Sequence, residues 1–96
     1  MMSAFFLVEI NKVSDAEKYG LYIEKVALII NKHGGEYIFK SEQLTPVSGG
    51  WDAKRIILIR FENKDMLRKF FQSEEYKKIV PLRKESTESK AIIIEG

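Results

Sequence analysis

His33-Gly34-Gly35-Glu36-Tyr37 decides how this chain folds. Upstream, Tyr19, Tyr22, Ile23, Val26, Ile30 and His33 recur three or four residues apart, the stripe of a helix of about five turns. Downstream, Glu36 to Gln43 (EYIFKSEQ) reads as a strand, with Tyr37 and Phe39 expected on one face and Ile38 and Lys40 on the other. Two adjacent glycines supply the backbone freedom to leave a helix and reverse at once. His33 falls in the last helical turn, where a partial positive charge suits the carbonyl end of the helix. Any pocket between helix and sheet inherits its geometry from this turn.

Working outward, Ser14-Asp15-Ala16-Glu17 matches a capping box, with Ser14 as the expected cap. Ala4 to Ile10 (AFFLVEI) is a first strand, Lys54 to Phe61 (KRIILIRF) a third and Ala91 to Glu95 (AIIIE) a fourth. Leu44 to Asp52 (LTPVSGGWD) has the composition of a loop. Asn63 caps a second helix that buries Met66, Leu67, Phe70 and Phe71. Ser73 starts a further helix through Tyr76, Ile79 and Val80, which Pro81 is expected to end, with one short helical turn from Leu82 to Glu88.

The order β-α-β-β-α-β predicts a ferredoxin-like α+β fold, residues 1–96 forming a single domain. Right-handed crossovers put the helices on one face of a four-stranded antiparallel sheet. Yet in AFFLVEI, KRIILIRF and AIIIE apolar residues point both ways, as in strands covered on both sides. Helices can cover only one side, so the second layer is expected from a two-fold partner in an obligate homodimer packed sheet on sheet.

Composition excludes several classes of function. The 96 residues carry a net charge of +2, with 31% charged residues of both signs interleaved, which argues against a nucleic-acid partner. There is no cysteine, hence no disulfide framework, thiolate metal site or thiol nucleophile, in keeping with a cytoplasmic protein. No apolar run approaches the ~20 residues of a membrane span. One histidine cannot build a multi-histidine metal site, and no acidic loop has cation-binding spacing. Serine–histidine–acid spacing, a Walker loop and a dinucleotide fingerprint are all missing. No metal or cofactor is expected.

His33-Gly34-Gly35, Trp51 followed by Arg55 at the head of a strand, Ser73-Glu74-Glu75-Tyr76, Arg83 and a terminal Ile94-Glu95-Gly96 resemble, in this order, the family called domain of unknown function 1330, of the dimeric α+β-barrel superfamily. The resemblance spans essentially the whole chain. It implies a ferredoxin-like protomer and a two-fold barrel but no particular chemistry. The superfamily includes cofactor-free monooxygenases, muconolactone-isomerase-like enzymes, haem-handling proteins and simple ligand binders. At Ala53 the family pattern would have a proline, so the loop before the third strand is expected to sit differently.

Several residues are candidates for a site between helices and sheet. Arg55 shares the side of Ile57 and Ile59, and an arginine on a core face must find a carboxylate from the chain or from a ligand. Glu9 is its counterpart in the first strand: the two either neutralise each other or line a pocket together. His33 is either an acid, base or haem ligand, or a cap on the helix end. Tyr22, Tyr37, Tyr76 and Trp51 are either pocket walls with polar handles or ordinary core. Arg83 either reaches an anion at the pocket mouth or pairs with Glu85 in solvent. The functional expectation is binding of a small, partly apolar organic acid or enol, with cofactor-independent isomerase- or monooxygenase-like chemistry if there is turnover. The alternatives are a non-catalytic structural or interaction dimer and, behind it, haem binding through His33.

Overall fold

The computed structural model describes residues 3–96. Strand β1 (Ala4–Val13) leads to helix α1 (Ala16–Lys32), strands β2 (Glu36–Ser41) and β3 (Arg55–Phe61), helices α2 (Lys64–Gln72) and α3 (Glu74–Ser86), and strand β4 (Thr87–Glu95). The sheet is antiparallel with order β2-β3-β1-β4, so β1 and β3 are interior and β2 and β4 form the edges. This is the ferredoxin-like α+β arrangement that the element order predicts. Among the described residues no helix is long and apolar enough to cross a membrane.

The α1–β2 junction forms as the two glycines require. Gly34 takes a φ of +77°, its N–H donates to the Asn31 carbonyl at 3.1 Å, and the Gly35 N–H donates to the Ile30 carbonyl at 2.8 Å. This is a Schellman closure, which satisfies carbonyls that the helix end leaves free. Gly35 is needed for a second reason: a Cβ there would stand 2.6 Å from Ile30 Cγ2 and 2.9 Å from the Phe61 ring.

Alternation along the interior strands sorts two faces. Ala4, Phe6, Val8 and Ile10 of β1 and Ile57, Ile59 and Phe61 of β3 are buried under the helices, against Tyr19, Tyr22, Val26, Ile29 and Ile30 of α1, Leu67 and Phe70 of α2, and Tyr76 and Ile79 of α3. Phe70 centres an aromatic cluster with Phe61 at 5.4 Å and Tyr76 at 4.4 Å between ring centroids. Phe5, Leu7, Ile56 and Leu58 point the other way, joined at the edges by Phe39, Ile92 and Ile94. No element of the described chain covers that second face.

Four local expectations need correction. The cap of α1 is Asp15, whose side chain accepts from the Lys18 N–H at 3.0 Å, because Ser14 is engaged elsewhere: its N–H donates to the Ser86 carbonyl at 2.8 Å. Asn63 and Ser73 cap α2 and α3 as expected. Pro81 does not end α3. Ile79, Val80 and Leu82 pack on the core around it, and that burial outweighs the lost N–H, a penalty of about 3 kcal/mol. No separate turn follows: α3 runs to Ser86, and β4 begins at Thr87, four residues earlier than expected. Finally, a bulge between Tyr37 and Phe39 breaks the simple alternation of β2. Tyr37 pairs with Ile59 on the helix side, Phe39 with Leu58 on the open side, and Lys40 with Ile57 back on the helix side.

Candidate functional site

Beneath α1 the core is incompletely filled. A cavity of about 50 Å³ lies between that helix and the sheet. Its floor is Phe6, Val8, Ile10, Ile57 and Ile59, and Ile23, Val26, Ala27 and Ile30 of α1 roof it. The polar groups at its margin are Tyr19, Tyr22, Tyr37, Lys40, Arg55 and Arg83. Three are cations, three are phenols, and none of the described residues lining the cavity is acidic. Tyr19 and Tyr22 are one helical turn apart, so their rings lie side by side, stacked with centroids 6.3 Å apart.

Arg55 enters the cavity because it sits opposite Ile10 on the buried register of β3. Among the described residues its one carboxylate contact is to Glu42, which is largely exposed, at 3.5 Å, and its Nε is buried without a partner. Arg83 reaches in from α3. Its Nη1 donates to the Ser89 hydroxyl at 3.2 Å, and its Nε is likewise buried and unpartnered. Lys40 rests over the Tyr37 ring, its Nζ 4.5 Å from the centroid. Burial raises the pKa of Tyr19, with Arg55 and Arg83 pulling the other way. Burial likewise raises Tyr37 against the pull of Arg55. Tyr22 is pushed up by burial and then by the neighbouring Tyr76 hydroxyl, Arg83 opposing. All three phenols therefore stay neutral at physiological pH and present an O–H, not a phenolate.

The structure thus gathers four of the sequence candidates, Tyr22, Tyr37, Arg55 and Arg83, and separates the others. Glu9 lies on the opposite face of the sheet, paired with Lys90 at 3.2 Å, so an Arg55–Glu9 pair does not form. One residue of register decides this: Arg55 faces Ile10, while Glu9 faces Ile56. His33 is outside the cavity. The Schellman turn folds its ring back so that Nδ1 donates to the Ile29 carbonyl at 2.9 Å, the capping geometry, and haem ligation from inside the cavity is not available to it. Trp51 is also outside, 58% exposed in the β2–β3 loop, beside Ile56 of the open face. Tyr76 belongs to the aromatic cluster around Phe70 and does not line the cavity, although its hydroxyl neighbours that of Tyr22. Arg83 does not pair with Glu85, which instead holds Lys18 at 3.1 Å. Among the described residues no cluster of three or more histidine, aspartate or glutamate side chains could hold a metal ion.

Two site residues escape the sequence reading. Tyr19 is visible there as part of the α1 stripe, three residues before Tyr22, and only its neighbourhood with Arg55 marks it out. Lys40 is hidden by the β2 bulge, which no local sequence signal announces.

A four-stranded antiparallel sheet of order β2-β3-β1-β4 with its helices on one face defines a ferredoxin-like α+β protein. Within that class, the chain belongs to the family described as Domain of unknown function (DUF1330), whose profile matches residues 3–96. Solved structures share the fold. A protein of unknown function from Rhodopseudomonas palustris superposes with a TM-score of 0.82 at 13% identity, over 98% of this chain and 82% of that one. SnoaB, a cofactor-independent oxygenase from Streptomyces nogalater, gives 0.64 at 10% identity, over 97% and 90%. A dimeric ferredoxin-like protein of unknown function from Thermobifida fusca gives 0.65 at 10%, also over 97% and 90%. No curated protein matches the chain.

Proposed function

We propose that the protein binds a small, partly apolar organic acid or enol in the cavity beneath α1, with Arg55 as the anchor for its negative charge. One observation carries this reading: a guanidinium on a buried register, its Nε unpartnered, beside a cavity with no acidic lining residue. Leaving a buried donor unsatisfied costs about 1–3 kcal/mol, which an acceptor on a ligand would recover. The apolar floor and roof take the carbon skeleton, and Tyr19, Tyr22 and Tyr37 offer neutral O–H donors near the cation. Such a set stabilises an enolate, the intermediate of isomerisation and of cofactor-independent oxygenation, and the lining holds no serine, threonine or cysteine of the kind that hydrolysis uses as nucleophile. The likeness to SnoaB shares only the fold, so the chemistry is argued from these residues.

The second layer on the open face is, in this proposal, another copy of the chain packed sheet to sheet. Phe5, Leu7, Ile56, Leu58, Ile92 and Ile94 form an apolar field that soluble monomers avoid, and the Thermobifida fusca relative is described as dimeric. Light scattering at micromolar concentration should return twice the monomer mass, and a monomer would remove this part of the proposal.

The ligand reading is tested by a thermal-shift panel of short carboxylates and enolisable keto acids against the wild type and Arg55→Ala. A ligand present at about 100 times its dissociation constant stabilises by roughly 2.7 kcal/mol, several degrees in a chain of this size. A shift in wild type that is lost in a folded Arg55→Ala is the expected result. Silence in wild type across the panel would leave the non-catalytic dimer as the better account.

A further inference from the structure

The acid-binding reading can be carried to a substrate class. We propose that the cavity takes a doubly anionic molecule, a short dicarboxylate or the enolate of a keto acid, held between Arg55 and Arg83. This inference rests on the acid-binding reading above and adds a second anchor to it.

The sheet register brings the two arginines to one line. Ile10 of β1 pairs with Arg55 of β3 on one side and with Ser89 of β4 on the other. Arg83 comes down from α3 onto that same Ser89, donating to its hydroxyl at 3.2 Å. Arg55 and the residue that holds Arg83 are therefore two strand spacings apart, about 10 Å between backbones, with Ile10 between them on the cavity floor. Both guanidiniums line the cavity, and each keeps a buried Nε without a partner.

Charge makes the same point. Glu42 meets Arg55 only at 3.5 Å and from an exposed position, and the side-chain partner of Arg83 is a neutral hydroxyl. Two guanidiniums lining one largely apolar cavity repel each other through a medium less polar than water. One carboxylate would offset only one of them, whereas a dianion satisfies both forks. Tyr19 lies within the field of both arginines and holds its proton, so it can donate to a ligand oxygen placed between them. Size limits the guest. About 50 Å³ of enclosed space takes only a short carbon backbone and no ring system, so the carboxylates stay at the margin, where the arginines are.

The test uses calorimetry on the full chain at matched ionic strength, with crotonate as the monoanion and fumarate, maleate and glutarate as dianions. Fumarate differs from crotonate by a carboxylate in place of a methyl group. At least one dianion should bind ten-fold or more tightly than crotonate. Arg83→Gln should erase that advantage by weakening the dianions far more than it weakens crotonate, and Arg83→Lys, which keeps the charge but loses the fork, should retain part of it. Arg55→Gln should weaken both kinds of acid. If crotonate and every dianion bind alike and only Arg55→Gln matters, the acid site stands and the two-anchor proposal falls. A dianion advantage that persists in Arg83→Gln also overturns it. If no acid binds, both readings fall together. Arg83→Lys gives an independent answer if Arg83→Gln does not fold.

Discussion

Along β1 the side chains alternate between two different surroundings. Ala4, Phe6, Val8 and Ile10 are enclosed by three helices, while Phe5 and Leu7, equally apolar, lie on a face that no described element covers. β3 repeats the pattern with Ile57, Ile59 and Phe61 against Ile56 and Leu58. The two faces differ in what hydrophobicity accomplishes on them. On the first it builds the fold and frames the cavity. On the second it adds little to an isolated chain, because area that stays in water contributes nothing, and it becomes useful only when a partner arrives.

Substitutions on paired positions of β3 should separate these roles most sharply. Phe61→Ala removes a ring with no solvent exposure from the centre of the covered face and should cost about 3–5 kcal/mol, measured by urea denaturation. Leu58→Glu, three residues earlier on the open face, should leave the helical circular-dichroism signal in place. It should abolish the proposed dimer in light scattering and with it the concentration dependence of the melting temperature that a dimer requires. If Leu58→Glu unfolds the chain as completely as Phe61→Ala, the two faces are one cooperative core and the contrast fails.

A smaller effect is expected at the corner of the covered face. Gly35→Ala would press a methyl group between Ile30 and Phe61, in the grip of the Schellman turn, and should destabilise by about 1–3 kcal/mol. A smaller loss for Gly35→Ala in an Ile30→Ala background than in wild type would confirm that the side chains, rather than the backbone, set the limit.

The mildest contrast is in pH. Burial raises the phenols of Tyr19, Tyr22 and Tyr37 on the covered side, so above about pH 10 the unfolded chain loses these protons before the folded one does. The folded state then binds more protons, and stability falls as pH rises from that point, having been intact below it. Tyr22→Phe should flatten the fall between pH 10 and 11 in chemical denaturation, whereas Leu58→Ala, on the other face, should leave its slope unchanged. An unaltered slope in Tyr22→Phe would mean that the phenol is better solvated than its position indicates.

Much of this was readable from residue types because the governing forces are local. The α1–β2 corner depends on two glycines and their neighbours. The two-sided apolarity of β1 and β3 follows from period-two alternation, which needs only the strand itself. What could not be read was register. Arg55 and Glu9 look like partners until the pairing of Arg55 with Ile10 puts them on opposite faces. The bulge after Tyr37 turns Lys40 into the cavity against the alternation. Arg83 looks solvated only while Pro81 is taken to end its helix. Once packing carries α3 through the proline, that arginine is held over the sheet. Trp51 misleads for another reason, since a loop has no periodicity to tell which side its aromatic residue takes.

The position of β1 inside the sheet bears on how the chain reaches this structure. Phe6 finds Ile59 on one side and Ile93 on the other, so the strand gains both neighbours only through contacts far along the chain. Closing such loops is slow, and β1 must wait for them with apolar side chains on both flanks. During that interval it is the segment most able to pair with the wrong molecule. The same two-sided strand, built into the core on one flank and open on the other, is therefore the point at which crowded or hurried refolding should first lead to aggregates.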